Sequence, residues 1–211
     1  MKRKILFLMI LLLAGWVASA QTEKGNWQLG GLNLISFQTG TEKYSSGTYD
    51  MKTNFTNFSI GPSILNASFG EGSMPTISYG LTDNLFVGIA LMLASASSKD
   101  DEDNDKSSST VFLIGPSMRY FLMSEKEFLP FVEGKAGIGS YSYKYGDSGS
   151  DESNLSGWYL GSGATYFFIE NVGIDFTLGY QHFTNKEDDS DSDSKGTQTG
   201  VSFGIGVIVA F

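Results

Sequence analysis

Residues 197–211 read TQTGVSFGIGVIVAF, and their side chains fall into two alternating sets. One set is apolar and ends on an aromatic residue: Val201, Phe203, Ile205, Val207, Val209 and Phe211. The other set is small or polar: Gln198, Gly200, Ser202, Gly204 and Gly206. A period of two is the pattern of a β-strand with one apolar face. The segment is therefore predicted to be a strand, and it sets the pattern against which the rest of the chain is compared.

Five further segments show the same alternation and, together with the predicted strand 26–38, indicate an all-β chain. The five are 85–97, 109–122, 128–145, 156–168 and 172–185. In each, one face is continuously apolar with aromatic residues near the ends, and the other is mostly glycine and hydroxyl residues. A soluble sandwich tends to carry Lys, Glu and Thr on its polar face, whereas small residues suit the crowded inside of a narrow barrel. The pattern favours a transmembrane β-barrel, and an exported soluble β-sandwich is the alternative.

The N-terminus has the three parts of a secretory signal peptide. The basic residues 2–4 are followed by the apolar run 5–17 and by the small-residue sequence 18–20, which fits a cleavage site before Gln21. Residues 1–20 are therefore predicted to be a cleaved signal peptide and residues 21–211 the barrel domain. Loss of the three leader cations changes the formal net charge from −9 to −12.

Short and long connections alternate along the chain. The short ones lie at 82–84, 124–127 and 170–171, and the long polar ones at 39–52, 98–108, 146–155 and 186–196. Outer-membrane barrels have short periplasmic turns, long outer loops and an even number of strands. We therefore predict an eight-stranded antiparallel transmembrane up-and-down β-barrel in the outer membrane, with both termini periplasmic. Its second strand is the least regular, and residues 53–82 are predicted to be one descending passage interrupted around Asn66 to Ser73.

Composition excludes several kinds of site. The chain has no Cys and 1 His, which removes thiolate sites and clustered-histidine metal sites. Its 14 Lys+Arg against 23 Asp+Glu argue against nucleic-acid binding, which needs a basic surface. No cofactor is predicted, and we expect a monomer.

Acidic residues are concentrated in three predicted outer loops. They are Asp100, Asp101, Glu102, Asp103 and Asp105, then Asp147, Asp151 and Glu152, then Glu187, Asp188, Asp189, Asp191 and Asp193. The spacing of Asp189, Asp191 and Asp193 is similar to a calcium loop, but glycine is missing at the sixth place and glutamate at the twelfth. We interpret the loops as solvated and extracellular. Divalent-ion bridging to anionic lipopolysaccharide, or a partner contact, is the alternative.

Four charged residues are predicted to point into the barrel. Strand parity places Arg119, Glu133, Lys135 and Asp175 on the inward face. Eight strands enclose a space that side chains roughly fill, so no open pore is expected. Charges in a narrow lumen must be paired, and here two cations balance two anions. We predict a structural ion-pair network, with a gated ion path as the alternative.

Several segments resemble one family of membrane proteins. The block 75–88, PTISYGLTDNLFVG, the block 115–120, GPSMRY, and the terminal Phe211 resemble the outer-membrane β-barrel domain family of small OmpA/OmpX-like, "porin family" barrels. The resemblance implies insertion by the barrel-assembly machinery and contact with outer-membrane lipid and lipopolysaccharide. It also implies that the C-terminal strand carries the assembly signal, here Phe203, Val207, Val209 and Phe211. The extra stretch 65–74 departs from the family.

The single histidine belongs to a second, more local resemblance. The sequence His182-Phe183-Thr184-Asn185 resembles the His-x-Ser-Asn motif of outer-membrane lipid A deacylases, which implies His182 as base and Thr184 as nucleophile on an outward-facing site. Such chemistry also needs an orienting carboxylate. Threonine replaces serine here, and the last strand offers no carboxylate, so we interpret His182 as an interfacial residue and the protein as a non-enzyme.

These observations lead to three hypotheses for function. The first is an integral outer-membrane barrel with a structural or surface-interaction role. The second, from a different class, is a lipid A deacylase-like hydrolase acting through His182 and Thr184. The third is a narrow passive channel, which the expected lumen volume disfavours.

Overall fold

The computed structural model describes residues 22–46, 49–60, 74–99, 106–123, 128–145, 148–187 and 194–211. The predicted signal peptide and the calcium-like spacing at Asp189, Asp191 and Asp193 lie outside these residues. Nine strands form: β1 (Trp27–Ser46), β2 (Tyr49–Ile60), β3 (Thr76–Gly80), β4 (Leu85–Lys99), β5 (Lys106–Phe121), β6 (Phe128–Tyr145), β7 (Ser148–Ile169), β8 (Val172–Glu187) and β9 (Ser194–Ala210). Within the described part of the chain, no helix combines the length and hydropathy needed to cross a membrane.

The strands form one antiparallel sheet that closes on itself. From β3 to β9 each strand pairs with the next in sequence, and β9 returns to pair with β1. The closure reaches the last residue, because Trp27 and Phe211 exchange backbone hydrogen bonds of 2.7 and 2.8 Å. Closure leaves no free edge at this seam. The all-β, antiparallel, up-and-down prediction is confirmed.

Nine strands make eight passages around the ring. One edge of β1 pairs with β9 along nearly its whole length. The opposite edge pairs with β3 at Trp27 to Gly30 and with β2 at Ile35 to Ser46, so β2 and β3 lie on the same side of β1. Among the described residues β3 pairs onward with β4, and β2 pairs with β1 alone. The passage predicted over 53–82 therefore contains two described strands, β2 ending at Ile60 and β3 beginning at Thr76, and the predicted interruption at 66–73 lies outside the described residues.

A β-bulge in β1 marks the level at which its partner changes. The register with β9 shifts between Leu29 and Leu32, and Gly31 there has a φ of 74°. A Cβ on Gly31 would also collide with the backbone of Met74. Glycine adopts this left-handed conformation without steric cost, and a bulge locally bends and twists its strand.

The strands run further than the sequence indicated. The predicted loop 39–52 is largely the paired ends of β1 and β2, and the loops predicted at 98–108, 146–155 and 186–196 are shortened by β4 to β9. Asp151 and Glu152, assigned to a loop, lie in β7. The loop assignments were wrong because these segments are polar where the strands leave the apolar band, and their Thr, Ser and Tyr residues still pair as strands.

The outer face of the ring is apolar and its interior is packed. Large outward side chains are exposed, among them Ile89, Leu160 and Leu178 at 55%, 60% and 55%. On β7 the outward apolar stretch runs from Trp158 to Phe168, which spans about 25 Å for a strand tilted at about 45°. That height matches the hydrocarbon core of a membrane, so the exposed face suits lipid better than water.

Candidate functional site

The four charged residues predicted inside the ring lie together in the lumen. Arg119 on β5 stands directly opposite Glu133 on β6, and Asp175 approaches from β8 across the lumen. Arg119 donates through Nε and Nη2 to Glu133 Oε2 at 3.1 and 2.8 Å, and through Nη1 to Asp175 Oδ2 at 2.8 Å. One guanidinium thus bridges two carboxylates, a geometry that lysine could not reproduce.

Further groups complete this lumen cluster. Lys135 Nζ lies 3.3 Å from Glu133 Oε1 and 5.3 Å from the centre of the Tyr159 ring. Thr165, directly opposite Asp175 on β7, donates its hydroxyl to Asp175 Oδ1. Arg119, Glu133, Lys135 and Asp175 are all buried. Paired and hydrogen-bonded in this way, the charges meet the conditions under which ions are tolerated in a low-dielectric interior.

Apolar layers enclose the lumen cluster on both sides along the barrel axis. Toward the end that carries both termini lie Phe86, Phe121, Leu129, Phe131, Phe167, Ile208 and Ala210. Toward the loop end lie Met74, Ala90, Val111, Leu113, Leu155 and Phe183. The Arg119 guanidinium stacks on Phe131, with its central carbon 3.9 Å from the ring centre. The interior is therefore layered as apolar, ionic, apolar.

Little free space remains beside the lumen cluster. Two enclosed cavities of about 20 and 10 Å³ adjoin it, both lined in part by Glu133 and Lys135. A cavity needs about 10 to 15 Å³ of such volume to hold one water molecule. These two cavities therefore have room for isolated water molecules beside the lumen cluster.

Tyr159 fills the lumen beside the cluster because two neighbouring positions have no side chain. Its ring lies over Gly161 on its own strand and Gly179 on β8, and a Cβ at either position would overlap the ring. Glycine in a strand interior often marks such a close approach. The glycine-rich inward face noted in the sequence thus provides room for an aromatic ring that narrows the barrel.

His182 lies on the outward face near the loop end, between two threonines. Its Nδ1 is 3.0 Å from Thr199 Oγ1 on β9, and its Nε2 is 3.4 Å from Thr184 Oγ1. Trp158 of β7 stacks on the imidazole with ring centres 5.8 Å apart. A shallow outward groove of about 640 Å³ adjoins these residues and is also lined by Pro116 and Ala136.

This arrangement contains two of the three groups that the hydrolase hypothesis requires. Thr184 and His182 are within reach of each other, but a threonine hydroxyl occupies the place at Nδ1 where a carboxylate would orient the base. In the described residues no carboxylate hydrogen-bonds the imidazole. Without that partner, the geometry fits a polar contact at a membrane interface more closely than a nucleophile and base pair.

The remaining predicted positions are also located by the structure. Phe203, Val207, Val209 and Phe211 all lie on the outward face of the last strand and its end, with Phe203 and Phe211 exposed. Their proposed part in assembly stays a prediction. Within the part of the chain that the structure describes, no group of three His, Cys, Asp or Glu residues could hold a metal ion.

Sequence reasoning missed the neighbours that complete each cluster. Thr165 faces Asp175, and Trp158 and Thr199 flank His182, because they stand directly opposite in register on adjacent strands. Alternation tells which face a residue occupies but not its height on the barrel. The pairing register between adjacent strands, which determines which residues stand opposite each other, could not be read from the sequence.

No protein-family model and no curated protein sequence matches this chain. Solved structures with a similar chain course include Ail, the attachment invasion locus protein of Yersinia pestis, at 13% identity, covering 89% of this chain and 99% of that one with a TM-score of 0.41. OprG from Pseudomonas aeruginosa is similar at 12% identity, 92% and 99% coverage and a TM-score of 0.46. The outer membrane protease OmpT from Escherichia coli is similar at 10% identity, 93% and 99% coverage and a TM-score of 0.39. At these values the likeness assigns no function to this chain.

Proposed function

We propose that the protein is an integral outer-membrane β-barrel with an occluded lumen and a structural or surface-interaction role. The observation that carries this proposal is the combination of an exposed apolar belt outside with a layered, filled interior. The predicted signal peptide for export and a sheet that closes on itself through β3 and β9 support the same assignment. The barrel-assembly machinery would insert it, and its partners there would be outer-membrane lipid and lipopolysaccharide.

The orientation is part of the proposal. The end carrying both termini would face the periplasm, and the loop end, with its acidic loops, would face outward. Protease treatment of intact cells should then cut at loops 100–105 or 188–193 while leaving a tag at Phe211 intact. Cleavage of the tag alone would reverse the orientation.

Cell fractionation with gel mobility tests the membrane assignment. A folded barrel should sediment with outer membranes and change its apparent size on boiling, and its size in mild detergent should correspond to a monomer. A protein that stays in the soluble periplasmic fraction and shows no change on boiling would instead be the exported soluble sandwich.

A second candidate function rests on the outward contact between His182 and Thr184, 3.4 Å apart beside a groove. In this hypothesis the pair hydrolyses an acyl ester of lipid A, with a loop acid such as Glu187 or Asp188 orienting the base. Mass spectrometry of lipid A incubated with the protein tests it, with the His182→Ala variant as control. Unchanged acylation in both samples would eliminate the enzyme.

A further inference from the structure

The lysines of the barrel have an uneven distribution. Of the basic residues after position 20, seven lie near the loop end of a strand: Lys43, Lys52, Lys99, Lys106, Lys144, Lys186 and Lys195. The side chains of Lys43, Lys52, Lys144, Lys186 and Lys195 are exposed. At the opposite end, Lys24 is the one lysine that the structure describes. In the described strands, the outward positions at the loop end of the barrel wall thus carry these seven lysines against Asp50 and Glu152, although the chain as a whole is acidic.

Each of these lysines stands at the same distance beyond the apolar band. On β1 the outward positions run Phe37, Thr39, Thr41, Lys43, and on β9 they run Val201, Thr199, Thr197, Lys195. On β8 they run Tyr180, His182, Thr184, Lys186, and on β6 they run Ile138, Ser140, Ser142, Lys144. The same order of apolar, polar, polar and lysine recurs in β2, β4 and β5. The exception is β7, where Glu152 takes the corresponding position.

The strand register brings the lysines together in pairs. Lys43 stands directly opposite Lys52, Lys186 opposite Lys195, and Lys99 opposite Lys106. Like charges directly opposite one another destabilise a sheet. None of the five lysines with described side chains forms an ion pair with another described residue. The two pairs whose side chains are described, Lys43 with Lys52 and Lys186 with Lys195, therefore destabilise the isolated barrel, and an anion placed between the members of a pair would remove this repulsion.

The height of the lysines identifies the anion. Each lysine is six residues beyond the last apolar position of its strand, which places it about 15 Å above the hydrocarbon along the membrane normal for a strand tilted at about 45°. Simple phospholipid head groups end about 5 to 8 Å above the hydrocarbon. The two hydroxyl-rich rows lie at that lower level, and the lysines lie above it, where a lipid with a saccharide head group still has atoms. Hydroxyls suit sugars, and lysines suit phosphates.

We propose that these lysines form a collar that binds the phosphate groups of a phosphorylated glycolipid in the outer leaflet, with the two hydroxyl rows beneath it contacting the sugar. The collar follows the barrel wall directly above the lipid-facing band, so its ligand is a component of the surrounding membrane. This inference rests on the proposed outer-membrane orientation. It gives the surface-interaction role a ligand class and a set of residues.

The test measures binding of lipid A to the mature protein folded in an uncharged detergent. The first variant is Lys43→Gln/Lys52→Gln and the second is Lys186→Gln/Lys195→Gln, so that each removes a whole pair. A lysine near an anionic lipid surface contributes roughly 1 kcal/mol, or about fivefold in affinity, so each double variant should bind about 25-fold more weakly. The matched Lys43→Arg/Lys52→Arg variant keeps the charge and should bind within about twofold of the wild type, while Lys24→Gln, at the other end, should not change binding.

The ligand is varied in parallel. Dephosphorylated lipid A should bind the wild type as weakly as phosphorylated lipid A binds the Gln variants, and inorganic phosphate should compete only at high concentration. Equal affinity for the two forms of lipid A would overturn the proposal. So would lysine-dependent binding of a soluble sulfated polysaccharide together with lysine-independent binding of lipid A, since the collar would then serve a soluble polyanion.

Stability provides a second readout that a merely solvated set of lysines would not produce. Without lipid A, the Gln variants should be at least as stable as the wild type, because like-charge repulsion is removed. Added lipid A should raise the unfolding midpoint of the wild type and not that of the Gln variants. Loss of the gel shift on boiling in the wild type would count against the outer-membrane barrel itself. A normal gel shift with no lysine dependence of lipid A binding would overturn the collar alone.

Discussion

Replacing Arg119 by methionine should destabilise the barrel because two buried carboxylates lose their shared cation. Arg119 pairs with both Glu133 and Asp175, whereas among the described carboxylates Lys135 pairs with Glu133 alone, at 3.3 Å. In the Arg119→Met variant the lumen therefore holds two acids against one lysine. Breaking a buried pair by removing one partner costs about 3 to 5 kcal/mol, most of it from the charge left unpaired.

The double variant Arg119→Met/Asp175→Asn separates this charge effect from the loss of packing. It leaves Glu133 and Lys135 as a balanced pair, and an asparagine at 175 still accepts the hydroxyl of Thr165. We therefore expect the second substitution to restore stability to within about 2 kcal/mol of the wild type. Asp175→Asn alone should also destabilise, because Arg119 and Lys135 then face one acid.

Urea unfolding in lipid vesicles, followed by tryptophan fluorescence and by gel shift, measures these free energies. The three variants form a double-mutant cycle whose coupling energy should be at least about 2 kcal/mol. If Arg119→Met unfolds at the wild-type urea concentration, or if Asp175→Asn makes it less stable still, the lumen cluster is not an electrostatic unit and the reasoning fails.

Two further substitutions test the packing. Gly179→Val would drive a side chain into the Tyr159 ring and should cost about 1 to 3 kcal/mol in the same urea assay. Gly196→Val, where a Cβ would meet only Asn185 at 3.7 Å, is the control and should be nearly neutral; equal effects of the two would show that Tyr159 is not packed as described. Gly31→Ala combines a φ of 74° with a collision against Met74 and should lower stability by at least about 1 kcal/mol, whereas an unchanged midpoint would mean that the bulge is not a fixed feature.

Much of this architecture was accessible from alternation alone. Parity placed Arg119 and Glu133 on the inward face and His182 on the outward face, because a two-residue period fixes the side of the sheet. The sequence also predicted a single passage over 53–82, because outer-membrane barrels have an even number of strands, and the described strands β2 and β3 both lie on the same side of β1.

The alternation could not show how far along the barrel axis a residue lies, or how far each strand extends beyond the apolar band. Arg119 and Asp175 are 56 positions apart, and their contact follows only from the register of four strands across the lumen. The upper parts of β1 and β2 were mistaken for a loop because polarity marks the change from lipid to water, not the end of hydrogen bonding. The lysine pairs were missed for the same reason, since Lys43 and Lys52 become neighbours only when 39–52 is paired as strand.

Conductance across a planar lipid bilayer tests the occluded barrel most directly. Protein whose insertion is verified by its gel shift should give no current above that of the bare membrane, because buried apolar layers lie on both sides of the lumen cluster along the barrel axis. Stable unitary current steps that change in size in the Arg119→Met/Asp175→Asn variant would show that ions pass through the lumen, and would contradict the account.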